Sequence, residues 1–120
     1  MSIRDQVASL GKDGGVATTL IELERYLGQS AFLIVDHWEG DLSAVGIAHP
    51  NDEHRLAYIA VNEVDATYFL ELETAPATGS ELPYAVTGTF PSVTFDELAV
   101  LIARHLKNAG TDRQDRATML

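Results

Sequence analysis

Cysteine is absent from the 120-residue chain. That excludes disulfides, thiol nucleophiles, iron–sulfur ligation and cysteine-based zinc sites. Bases are scarce: 8 Lys and Arg stand against 18 Asp and Glu, for a formal charge of −10. A protein that grips a nucleic-acid backbone unaided needs cations to displace counterions, so direct nucleic-acid binding is not expected. Long hydrophobic runs are missing too. The longest, Ala31–Val35 and Leu98–Ala103, fall far short of the roughly 20 residues that cross a bilayer. Met1–Leu10 carries Arg4 and Asp5 without an apolar stretch, so no secretory signal is expected and a cytoplasmic setting fits. What remains is 46% apolar and 22% charged, enough to build one core.

No repeat, low-complexity tract or long linker divides the chain, so residues 1–110 are expected to form a single domain and 111–120 a flexible tail. Ser2–Leu10 reads as a short helix, with Ser2 as cap, Gly11 as stop and Ile3, Val7 and Leu10 on one stripe. A second helix is expected from about Val16 to Leu27. Thr19 and Glu22 have capping-box spacing, although Asp13 could start it earlier. The apolar period then changes to two. Ala31–Trp38 begins apolar on both faces, which predicts a central or covered strand. Glu39-Gly40-Asp41 turns the chain into Leu42–Ala48, and His49–His54 is a polar turn. Arg55–Asn62 and Thr67–Thr74 follow as strands. In the latter, Tyr68, Leu70 and Leu72 share one face while Phe69, Glu71 and Glu73 share the other.

Ala75–Pro83 is the longest loop, and Tyr84–Phe90 the fifth strand, with Tyr84, Val86 and Phe90 inward and Thr87 and Thr89 outward. Thr94-Phe95-Asp96-Glu97 is a capping box, flanked by a Val93–Leu98 staple. It opens a helix carrying Leu98, Leu101, Ile102 and His105 at helical spacing. Arg104, His105 and Lys107 fall in its expected last turn before Gly110. The fold class is therefore α+β: two N-terminal helices, a five-stranded mainly antiparallel sheet, and one C-terminal helix packed on that sheet. Connections this short do not allow parallel crossovers.

Charge is concentrated in the β region. Between Ala31 and Phe90 there are ten carboxylates and a single base, Arg55, for a net charge of −9. Acids there keep a sheet soluble and its edges apart. They also form a field that selects a cationic partner. Asp41, Glu71 and Glu73, with the outward aromatic Phe69 as anchor, are the expected partner surface.

Other constellations are weaker. His49, Asp52, Glu53 and His54 could ligate a metal, but the spacing matches no zinc signature and no second cluster completes a site. Asp36, His37 and Glu39 could serve acid–base chemistry beside Trp38, without any nucleophile or oxyanion donor in view. The glycines of Gly11–Gly15 lack the Walker order and no strand precedes them. No catalytic residue, metal or cofactor is therefore expected.

Three segments, Thr67–Leu72 (TYFLEL), Pro83–Phe90 (PYAVTGTF) and Val93–Leu106 (VTFDELAVLIARHL), give a layout that resembles the small acidic immunity proteins of bacterial toxin systems. The resemblance covers about the last half of the chain and rests on size, charge and layout. It implies a cytoplasmic, non-enzymatic inhibitor of a basic, nucleic-acid-acting toxin. The alternatives are a homodimeric interaction protein of the secretion-chaperone kind and a small α+β enzyme with a pocket near His37.

Overall fold

Ser2 ends its extended conformation by accepting a hydrogen bond from the Asp5 amide at 3.2 Å, and α1 (Ile3–Leu10) starts there. Gly11 terminates it in the left-handed region at φ 66°, which a side chain would resist. The computed structural model describes residues 2–35 and 39–119, the side chains of 108–119 excepted. Helix α2 (Gly14–Leu27) begins after Asp13, the earlier of the two possible starts. Thr19 is consequently interior, and its hydroxyl donates to the Gly15 carbonyl at 2.7 Å.

The sheet comprises β1 (Leu33–Val35), β2 (Ala44–His49), β3 (Asp52–Asn62), β4 (Thr67–Thr74) and β5 (Ala85–Val93), in spatial order β1-β2-β3-β4-β5 with every pair antiparallel. This is the expected five-stranded antiparallel sheet, wound as a meander. The position of β1 differs from expectation: it is a three-residue edge strand, not a central one. Its two-sided apolar character arises because Ile34 packs on the core while Leu33, 43% exposed, points to the other face. Asp36, His37 and Trp38 lie outside the described residues, and with them most of the weaker acid–base constellation.

Helix α3 (Phe95–Met119) opens with a reciprocal capping box. The Thr94 amide donates to Glu97 Oε1 at 3.1 Å, and the Glu97 amide to Thr94 Oγ1 at 3.3 Å. The helix passes through Gly110 instead of stopping there, so Thr111–Met119 belongs to it. A helix tolerates one glycine at about 1 kcal/mol, less than the cost of a true break. Arg104, His105 and Lys107 are therefore not in a final turn.

All the core side chains from the helices meet one side of the sheet. Val16, Leu20 and Leu23 of α2 and Leu98, Ala99, Ile102 and Leu106 of α3 cluster with Val45, Ile47, Ala57, Ile59, Leu70 and Leu72. Antiparallel register explains the set: Val45 opposes Ile59, Ile47 opposes Ala57, Ile59 opposes Leu70 and Ala57 opposes Leu72. Tyr68 ties three elements together. Its ring packs edge-on to Phe95 at 6.2 Å, and its hydroxyl lies 3.4 Å from Thr19 Oγ1.

Two register slips between β4 and β5, at Tyr68/Leu70 and Leu72/Glu73, break the expected alternation on β5. Phe90 remains inward, but Val86 opposes Glu73 and is 48% exposed, and Tyr84 precedes the strand and is exposed. Among the described residues no helix is long and apolar enough to cross a membrane.

Candidate functional site

The second face of the sheet is built by the residues that alternate with the core. Pairing aligns them in rows across the strands. Leu33, Ala48, Leu56, Glu73 and Val86 form one row; Val35, Gly46, Tyr58, Glu71 and Thr89 form the next; Ala44, Ala60 and Phe69 form a third. Among the described residues, no helical core residue joins this side. The rows contain two carboxylates and no base. Ala44, Ala48 and Leu56 are buried although they belong to this side.

Three of the four residues expected to contact a partner, Phe69, Glu71 and Glu73, lie together here on β4. The fourth, Asp41, sits at the entrance to β2. Its Oδ1 accepts from the Ser43 amide at 3.1 Å and the Ser43 hydroxyl at 2.9 Å, which fixes the carboxylate in the turn.

The group that joins them was missed from the sequence. Tyr58 opposes Glu71 across the β3–β4 pair, and its ring meets Phe69 edge-to-face with centroids 6.1 Å apart and planes at 73°. Burial raises the pKa of its hydroxyl, and the negative charges of Asp41 and Glu71 raise it further. The signal was present in the alternation of β3: Ala57, Ile59 and Val61 face the core, so Leu56, Tyr58 and Ala60 must face away from it.

The remaining acids do not form one continuous field. Glu63 Oε1 accepts from the Gly15 amide at 3.1 Å, giving α2 the N-terminal carboxylate that the Asp13 side chain does not supply. That contact also places an internal anion where a phosphate would have to sit, so the glycine-rich turn serves the fold. Asp65 accepts from the Asn62 side chain at 3.2 Å and Asp52 from the His54 amide at 3.1 Å. These acids shape the turns at the two ends of the sheet, leaving Glu71 and Glu73 on its face.

His49 Nδ1 accepts from the Asn51 amide at 3.0 Å, so the histidine-rich turn uses one of its ring nitrogens to close itself. Among the described residues, no three His, Asp or Glu side chains converge as a metal site would require. The described clefts are modest. One of about 260 Å³ lies beside Asp13 and Glu63, and one of about 440 Å³ forms a shallow groove between Phe90 and Val100.

His105 is not the helix-end cation expected from the sequence. It is 6% exposed in the interior of α3, and its Nε2 lies 3.1 Å from the Leu56 carbonyl and 2.9 Å from that of Glu73. Two carbonyl partners require Nε2 to carry the proton. Burial lowers the pKa of the ring, and the nearby Arg55 charge adds to that against the pull of the backbone hydrogen bonds. Arg55 Nη1 donates to the His105 carbonyl at 3.2 Å, while its buried Nε has no acceptor among the described residues. The one base of the β region thus works on the helix side of the sheet, away from Glu71 and Glu73.

No protein-family model, curated protein or solved structure matches the chain.

Proposed function

We propose that this protein is a non-enzymatic, acidic binding domain acting in the cytoplasm, which blocks a basic, nucleic-acid-acting toxin in the manner of an immunity protein. The observation that supports this reading best is the open sheet face. It gathers Phe69, Glu71 and Glu73 around Tyr58, and the aligned strand rows that hold them contain no lysine or arginine. A cleft that holds a nucleic-acid backbone must be cationic. Carboxylates on a rigid sheet meet such a cleft with complementary charge, accelerate the encounter, and leave the aromatic pair to supply the desolvated anchor. Strand-borne side chains also enter with little entropy left to lose.

The test is neutralisation. The chain is co-expressed with each of a panel of basic, nucleic-acid-acting toxins, and growth with the toxin it counters is compared with that given by a variant carrying Glu71→Lys and Glu73→Lys. The wild-type chain restores growth and the reversed variant does not, while both show the same circular dichroism and melting curve. Undiminished protection by the reversed variant rejects this face.

A further inference from the structure

We infer that the chain forms a two-fold dimer through the outward flank of α3, where each Val100 seats over the groove beside Phe90 and Val93 and each Asp96 meets Arg104 of the second copy. The inference goes beyond the binding reading above and is independent of it, because α3 packs on the opposite side of the sheet from Glu71 and Glu73. Three observations lead to it.

The first is an apolar opening on the flank of a surface helix. Val100 is 38% exposed, the one large apolar side chain described on α3 that faces solvent. It shares a groove of about 440 Å³ with Phe90, Val93 and Leu101, which Asp96 and Glu97 also line.

The second is the order of charges along that flank. Asp96, Val100 and Arg104 follow at i, i+4 and i+8 and all three are exposed, so the stripe reads acid, apolar, base. Eight residues of helix separate Asp96 from Arg104 by about 12 Å, too far to pair within one chain. Neither engages a partner among the described residues, whereas Glu97 is already held by the Thr94 amide. A two-fold axis at Val100 turns the stripe onto itself, setting each Asp96 opposite an Arg104 on either side of an apolar centre. A second copy therefore supplies the matching charges. A strongly basic partner would be opposed by Arg104 and by Lys107, one turn further on.

The third is the edge strand beneath. β5 ends the sheet, and its nine residues Ala85–Val93 carry no charge, so two copies of this edge approach without local repulsion. Pro91 has no amide to offer a further strand. The edge thus resists addition of an extended peptide and leaves the helix flank to make the contact. Side by side about an axis normal to the sheet, the two copies keep Glu71 and Glu73 more than three strand spacings from their counterparts. At about 4.8 Å per strand that is roughly 15 Å, beyond a screening length of about 8 Å.

The experiment measures mass by light scattering after size exclusion of the full chain, over a concentration series at roughly 150 mM salt. Wild type reaches twice the 13.0 kDa of one chain. Val100→Glu stays at the mass of one chain with unchanged circular dichroism. Asp96→Arg and Arg104→Asp each weaken the dimer about tenfold, since each reversal falls on two ion pairs. The chain carrying both reversals recovers the wild-type affinity. These two positions are exposed, so they decide the matter should Val100→Glu perturb the fold. A wild-type chain that remains single up to roughly millimolar concentration overturns the inference. A dimer that persists in a folded Val100→Glu chain, or that the double reversal fails to restore, places the contact elsewhere and overturns it equally.

Discussion

His105 offers the sharpest quantitative check on how the sheet and its C-terminal helix are joined. The ring is buried, its Nε2–H is shared between the carbonyls of Leu56 and Glu73, and burial holds its pKa below the ordinary value. The register slips beside Glu73, so a side-chain donor reaches a backbone acceptor where the ladder is irregular. His105→Leu removes that donor and leaves two buried carbonyls to share the loss, a cost of about 2 kcal/mol at pH 7.5. The pH dependence gives a second, independent reading. The unfolded chain takes up the imidazole proton near pH 6.5 while the folded chain resists it, so acid favours unfolding. The contribution of neutral His105 is complete above about pH 6.5 and fades as the pH falls below it, by at most about 1.4 kcal/mol at pH 5.5. His105→Gln keeps an N–H donor but cannot titrate. Urea unfolding of wild type and both variants at pH 7.5 and 5.5 separates the two effects. Wild type loses more stability on acidification than either variant, and the Gln variant lies between the other two at pH 7.5. Equal losses in all three chains would refute the account of His105 as a buried neutral donor.

Two further outcomes follow from local geometry. Thr94→Ala removes one half of the reciprocal cap on α3 and lowers unfolding free energy by about 1 kcal/mol in urea titration; an unchanged midpoint would mean that the box contributes nothing. Gly15→Ala ordinarily stabilises a helix, but a methyl group there collides with the Glu63 carboxylate that caps α2. It therefore raises Tm less in the wild-type background than in a Glu63→Ala background, and an equal gain in both would contradict the contact.

Much of the fold was legible because periodicity and capping are local properties. The alternation in Thr67–Thr74 placed Phe69, Glu71 and Glu73 on one face without knowledge of their neighbours, and the Thr94–Glu97 spacing located the start of α3. The misplaced features depend on pairing. An apolar run such as Ala31–Val35 looks the same at an edge as at the centre, and only the strand order makes β1 an edge. Val86 reversed its expected direction because the slips against β4 reset the alternation of β5. The helical spacing already put His105 on the apolar stripe of α3, but its acceptors lie 49 and 32 residues away on two strands. Of the candidate site, the carboxylates and Phe69 could be read directly. Tyr58, which joins them, required the register of β3 against β4.

The central claim is that Glu71 and Glu73 capture a cationic partner from solution, and the association rate constant as a function of ionic strength tests it most directly. For the wild-type chain and the basic toxin it counters in the neutralisation assay, stopped-flow association slows about tenfold between roughly 20 and 200 mM salt. In the variant carrying Glu71→Gln and Glu73→Gln it is slower at low salt and clearly less salt-dependent. Identical rates and identical salt slopes for the two chains would contradict the claim.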